Sequence, residues 1–161
     1  CFVDVDKLTV LHKDVMVPSN MPTPEQMPLA REYKELHESG QDDKIPCKAM
    51  ERVTVVAEAK RIVRLKNGPD SFPFLLSAIK IGDLCFAGIG GEPFTEIGNR
   101  ISSASPFKET VLCALTNTST GYIPTRRAYS EGGYEARASS LAPGGDDIIV
   151  DGMMKLFESL K

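Results

Sequence analysis

The sequence predicts an α/β (mixed α+β) fold in which central β-strands are flanked by helices. Segments of helical period with start and stop signals alternate with β-branched runs. Two apolar runs meet at Gly82-Asp83, a hairpin signal. The second of them is apolar on both faces, as a central strand covered on both sides would be. The 161 residues contain no internal repeat and no low-complexity tract, which fits one domain or a large piece of one.

The opening segment, Phe2 to Val17, is rich in Val and Leu and reads as one or two strands, stopped by Pro18-Ser19-Asn20. A helix then follows. Thr23 is placed to cap it, Pro24 to take the first position and Gln26 to complete a capping box. Leu29, Tyr33 and Leu36 share its apolar face, and Gly40 ends it. A second helix runs from Pro46 toward Leu65, with Ala49, Val53, Val56 and Lys60 on one side and Ala59, Ile62 and Val63 widening the apolar surface. Its β-branched run, Val53-Thr54-Val55-Val56, leaves a strand open over the same residues.

The hairpin strands span Phe74 to Ile81 and Leu84 to Ile89. Gly90-Gly91-Glu92-Pro93 breaks the second and starts a helix whose stripe is Phe94, Ile97 and Ile101. Thr110 to Thr116 reads as another buried strand, followed by a polar loop to Tyr122 and a short helical turn after Pro124-Thr125. Gly132-Gly133 and Ala142-Pro143-Gly144-Gly145 interrupt the chain. The last helix, from about Asp146, carries Ile149, Met153, Leu156 and Leu160 on one face.

Composition removes several classes of function. Nineteen Lys+Arg against 22 Asp+Glu give a net charge of -3 with no basic run, so clustered positive charge for nucleic acid is lacking. The most apolar region, Phe72 to Gly91, is broken by Pro73, Lys80, Gly82 and Asp83, so no transmembrane segment is expected. Cys1, Cys47, Cys85 and Cys113 form no C-x-x-C, and Cys85 and Cys113 read as small buried hydrophobes. His12 and His37 have no motif partner, and neither a nucleophile elbow nor a phosphate loop is present. The start at Cys1, without initiator Met or leader, reads as a processed product or a fragment.

Three places carry candidate chemistry. In Gly90-Gly91-Glu92-Pro93-Phe94 the glycines permit close backbone approach, and Pro93 at a first helical position puts Glu92 on the cap. An ionised carboxylate oriented there suits a metal ligand or a general base, while spacing by itself favours a plain helix cap. Tyr122, in the loop from Asn117 to Thr125, presents a phenol that donates to an oxyanion, binds a metal as phenolate, or simply packs. Tyr134 offers a second phenol from the glycine-flanked turn Gly132-Gly133-Tyr134-Glu135, with the same alternatives.

The run Ala78-Ile79-Lys80-Ile81-Gly82-Asp83-Leu84, continuing through Gly91-Glu92-Pro93-Phe94-Thr95-Glu96-Ile97-Gly98 to Ser105-Pro106-Phe107, resembles the neutral/alkaline non-lysosomal ceramidase family, in particular its shorter bacterial relatives. Asn117, Gly121-Tyr122-Ile123-Pro124-Thr125-Arg126, Tyr129, Gly133-Tyr134-Glu135 and Leu141-Ala142-Pro143-Gly144 continue the likeness. It is strong from about Ser77 onward and thin before that. The resemblance implies hydrolysis of the ceramide amide, giving sphingosine and a fatty acid, at a zinc ion held by two histidines, a glutamate and a tyrosine. By motif the glutamate is Glu92 and the ligand tyrosine is Tyr122. The family's second tyrosine, twelve positions further on and aimed at the reacting carbonyl, matches Tyr134.

The family's two histidine motifs and its Gly-Asp-x-Ser/Asn-Pro region have no counterpart here. The resemblance therefore implies that residues 1–161 are the C-terminal portion of a larger catalytic domain. The expected partner is the absent N-terminal portion, which would bring the remaining zinc ligands. The isolated chain is expected to be inactive. A lipid or another N-acyl small molecule is the implied substrate, and the family is often exported or membrane-peripheral. The alternative is a non-catalytic binding or structural module that keeps the scaffold.

Overall fold

A computed structural model describes residues 7–118 and 120–160, so Cys1 and the Phe2 to Asp6 part of the expected first strand lie outside the described residues. The opening segment forms one strand, β1 (Leu8–Pro18), antiparallel to β2 (Ser71–Ile81) from Leu8↔Ile81 to Pro18↔Ser71. Strand β2 begins before the expected Phe74 and contains Pro73. A proline cannot donate to a ladder. Here it is tolerated because β3 (Leu84–Ile89) pairs with β2 only from Leu76 onward. Gly82 turns the hairpin at φ 58°.

Next in sequence come β4 (Glu92–Pro93) and β5 (Glu109–Cys113). Strand β5 runs parallel to β3 and completes a sheet of order β1-β2-β3-β5. It was expected to be buried; it is instead an edge strand with Val111 exposed and Cys113 only half-buried. Its apolar residues alternate across a sheet of which only one face is covered.

That covered face is the core. Helix α1 (Met27–Glu38) follows a short 3-10 turn, Pro24–Gln26, where the Thr23 N–H donates to Gln26 Oε1 at 2.9 Å. Helix α2 (Arg52–Leu65) settles the Val53–Val56 ambiguity in favour of helix. The two helices share a small apolar cluster of Ala30, Ala59 and Ile62 with Met27, Tyr33 and Val63. Leu29 and Val53 were expected on the apolar faces, but both are exposed, because the helices meet through their smaller residues. Helix α3 (Thr95–Ala104) connects β4 to β5 and buries Ile97 and Ile101. It starts two residues after Pro93, so Glu92 is not its cap.

The chain continues through β6 (Tyr122–Ile123), α4 (Arg126–Glu131), α5 (Tyr134–Ala138) and α6 (Gly145–Glu158). Helix α6 lies on β1 and β2 and buries Ile149, Met153, Leu156 and Phe157, with Leu160 just beyond its end. Asp146, 3% exposed, accepts from Arg100 Nη1 at 3.1 Å and so ties α6 to α3. The buried Arg61 of α2 donates to the carbonyls of Arg137 and Asn20, which fixes α2 to α5 and to the chain leaving β1.

The opposite face of the sheet has no layer over it among the described residues. Val10, Ile79, Phe86 and Val111 are register partners and form one apolar row across all four strands. Val10 is 55% exposed and Val111 42%; Leu8 extends the patch along β1, while His12 and Asp14 separate it from the exposed Met16.

Two outcomes are expected from this packing. A Cβ at Gly152 of α6 would lie 2.6 Å from Val15 Cγ1, so Gly152→Val destabilises the chain by about 2–3 kcal/mol in urea titration. The exposed neighbour substitution Asp151→Ala stays within about 0.5 kcal/mol. Burial pushes the Cys85 thiol up to about 11, which leaves almost no thiolate near neutral pH. Iodoacetamide followed by peptide mass mapping should label Cys47 and Cys113 in the native chain and Cys85 only after unfolding.

Candidate active site

Strands β3 and β5 are parallel, so their C-terminal ends lie at the same end of the sheet. The chain leaving β3 and the chain leaving β5 remain zipped together there. Leu115 N–H donates to the Gly91 carbonyl at 2.9 Å, Thr116 N–H to Ile89 at 3.1 Å and Glu92 N–H to Gly121 at 3.0 Å. Glycine is required for this approach. A Cβ at Gly90 would lie 2.2 Å from Thr118 Oγ1, and one at Gly91 would lie 2.9 Å from the Gly121 carbonyl oxygen. Leu115 and Asn117 take φ of 57° and 64°, a left-handed backbone that non-glycine residues enter at a cost.

The zipper ends in the parallel pair β4–β6, where Glu92 is the register partner of Tyr122. Their side chains therefore leave neighbouring strands about 4.8 Å apart on the same side. The Tyr122 carbonyl accepts from Ser139 Oγ at 2.9 Å, which anchors β6 from behind. Tyr134 opens α5, rather than sitting in a glycine-flanked turn. Its ring meets Tyr122 edge-to-face, with centroids 5.9 Å apart and planes at 75°. The three residues singled out from the sequence thus form one cluster. Glu92 and Tyr122 are half-buried and Tyr134 is 37% exposed.

Tyr129, also part of the sequence likeness, has a structural role. Its hydroxyl donates to the Leu141 carbonyl at 2.5 Å and lies 3.2 Å from Ser139 Oγ, the group that holds Tyr122. Of the histidines, His12 is exposed on the uncovered sheet face, and His37 Nδ1 lies 2.8 Å from Asp42 Oδ1.

Electrostatics couple the first pair. The Glu92 carboxylate, more than burial, raises the Tyr122 phenol above its ordinary value, and Tyr134 and Glu135 push the same way. A phenolate at Tyr122 would face an existing negative charge, and a divalent cation between the two oxygens would relieve that repulsion. A carboxylate and a phenolate are oxygen donors that divalent cations, zinc among them, accept. Two donors are half of the four that a zinc site takes. Among the described residues no group of three or more His, Cys, Asp or Glu side chains is placed to hold a metal ion.

Two cavities adjoin the cluster. One of about 640 Å³ is bordered by Tyr122, Leu65, Pro69, Phe72 and Leu141, with Arg64 and Ser140 at polar positions. Another, of about 360 Å³, has Tyr134 in its wall beside His37, Arg52 and Lys60.

No family model and no curated protein matches the chain. Among solved structures it is similar to neutral ceramidase from Pseudomonas aeruginosa, with a TM-score of 0.54 and 17% identity over 95% of this chain and 29% of that one. The chain folds like part of neutral ceramidase. A ceramidase complexed with C2 also aligns, over 56% of this chain and 16% of that one, at 24% identity and a TM-score of 0.47, too loosely to support more. The chain thus spans less than a third of the length of either structure. At these identities the likeness establishes the fold, and among the described residues no helix is long and apolar enough to cross a membrane.

One consequence of the Glu92–Tyr122 pairing is measurable without metal. Glu92→Gln removes the charge that opposes phenolate formation, so the Tyr122 midpoint should fall toward the ordinary phenol value of about 10. Ring resonances of Tyr122 followed against pH would show it. An unmoved midpoint would mean that the two side chains do not face each other.

Proposed function

We propose that the chain is the C-terminal portion of a ceramidase-like zinc amidohydrolase, acting on ceramide or a related N-acyl substrate. The juxtaposition of Glu92, Tyr122 and Tyr134 carries this reading. Three residues spread over more than forty positions meet where a carboxylate, a phenol that can ionise and a phenol that can donate are each needed. The similarity in fold to neutral ceramidase supports it.

In this reading Glu92 and Tyr122 hold zinc together with two ligands from the N-terminal portion of the same protein. Zinc supplies Lewis acidity and lowers the pKa of bound water. Water adds to the acyl carbon, the C–N bond breaks, and the products are a free acid and an amine. As charge develops on the carbonyl oxygen, Tyr134 donates its O–H to that oxygen, and the Tyr122 ring at its edge fixes the direction. The larger cavity beside Tyr122, walled by Leu65, Phe72 and Leu141, suits an acyl chain.

The apolar row on the open sheet face suits the N-terminal portion as its cover. Large contiguous apolar surface on a folded unit marks an interaction site.

Assay of the 161-residue chain with zinc should show no amide hydrolysis, and the polypeptide including the N-terminal portion should show it. In that longer protein Glu92→Gln and Tyr122→Phe should each lower zinc content and kcat/KM together. Tyr134→Phe should lower kcat by about 10²–10³ with zinc content unchanged. Full activity in Tyr134→Phe, or unaltered zinc in both ligand variants, rules the assignment out.

A further inference from the structure

The smaller cavity lies between α1, α2 and α5 and shares Tyr134 with the candidate site. Arg52, Val56 and Lys60 are spaced at i, i+4 and i+8 along α2, which puts them on one helix face. Val56 is buried, while Arg52 and Lys60 border the cavity. The Nε of Arg52 is buried and has no hydrogen-bond partner. Leaving a guanidinium N–H desolvated and unpaired is unfavourable, so this group is poised for an acceptor.

The carboxylates near this cavity already have partners, although Asp42 itself lies in its wall. Asp42 faces His37 Nδ1 at 2.8 Å, Glu38 pairs with Lys34 at 2.7 Å, and Glu58 pairs with Arg137 and Arg61. The apolar remainder of the wall includes Val53 and Ala57. A volume of about 360 Å³ is at the small end of the range for ligand pockets, enough for a head group and a few carbons.

We propose that this cavity is a carboxylate-binding subsite adjoining Tyr134. The Arg52 guanidinium receives the carboxylate through its fork, Lys60 adds a second positive charge on the same helix face, and Val53 and Ala57 meet the adjoining carbons. The inference rests on the reading of Tyr134 as the donor to the reacting carbonyl, and it deepens that reading by naming the substrate class. A carboxylate beside that carbonyl belongs either to the amine half of an acidic N-acyl amide or to the acid that hydrolysis releases. A neutral sphingoid head group would leave the buried Arg52 Nε without an acceptor.

The test is an NMR titration of the 161-residue chain, following the Val53, Val56 and Ala57 methyl signals and the Tyr134 ring. N-hexanoylglycine, hexanoate and the neutral N-hexanoylethanolamine serve as probes. At least one anionic probe should give saturable shifts and bind roughly tenfold or more tightly than the neutral probe, the size of one charge-assisted hydrogen bond. Arg52→Gln should remove that advantage, and Lys60→Gln should reduce it. Tighter N-hexanoylglycine points to an acidic amide and tighter hexanoate to the released acid; both uphold the subsite. Equal binding of neutral and anionic probes, or unchanged affinity in Arg52→Gln, overturns it. Anion binding without amide hydrolysis by the longer protein would leave the subsite standing and defeat the catalytic reading. Hydrolysis of neutral amides with no anion binding here would do the reverse.

Discussion

The close approach of two backbone segments governs the candidate site. The chain leaving β3 and the chain leaving β5 exchange hydrogen bonds from Ile89–Thr116 through Gly91–Leu115 to Glu92–Gly121. Side chains at positions 90 and 91 would collide with Thr118 and with the Gly121 carbonyl. The left-handed backbone of Leu115 is held by the same contacts, since isolated residues seldom stay there. The outcome of this arrangement is register. A shift of one residue between β4 and β6 would turn either Glu92 or Tyr122 to the other side, because side chains alternate along a strand. Glycine here is thus a positional requirement on two oxygens that lie beyond it.

Around that zipper the remaining elements act as supports. Ser139 holds the Tyr122 carbonyl, Tyr129 reaches both Ser139 and the Leu141 carbonyl, and Arg61 ties α2 to the carbonyl of Arg137. These bonds link α2, α4, α5 and β6 into one polar frame behind the two tyrosines. Tyr134 then needs only the first turn of α5 to come against Tyr122. The polar frame and the apolar core do different work. The core, through α6 and α3, makes the sheet; the frame aims what leaves its end.

Local signals in the sequence were enough for the hairpin, the α6 stripe and the short helix after Thr125, because each depends on neighbours a few positions apart. They failed where a distant partner decides. Pro93 is a sound first-turn residue, yet the N–H groups of Glu92 and Phe94 are claimed by Gly121 and Ile123, so the backbone stays extended and α3 starts later. Strand β5 has the composition of a buried strand and is an edge, since burial depends on what lies outside it rather than on its own residues. Glu92, Tyr122 and Tyr134 could be singled out by motif, whereas their meeting could not be read from spacing. Arg52 and Lys60 carried no signal at all. Two cations about two helical turns apart are an ordinary solvated face until α1 and α5 close a wall around them.

On the proposed reading, an incomplete metal site and the open sheet face would have one explanation between them. Glu92 and Tyr122 follow the C-terminal ends of β3 and β5, and those strands also contribute Phe86 and Val111 to the exposed row. A layer spanning the row from Val10 to Val111 therefore contacts the strands whose continuing chains lead into the β4–β6 pair. Burying that row would be driven by the loss of apolar surface to water, at roughly 25 cal/mol per Å². The same contact could carry further ligands toward the Glu92–Tyr122 pair without a second docking event. Metal binding and assembly would then be linked. On that reading a cation shared between the two portions would bind only their joined form, and by mass action it would stabilise the joined form over the separate ones. On the proposed reading, the repulsion that raises the Tyr122 phenol becomes part of that coupling. It disfavours phenolate in the separate chain and is cancelled only when the cation and its other ligands arrive together.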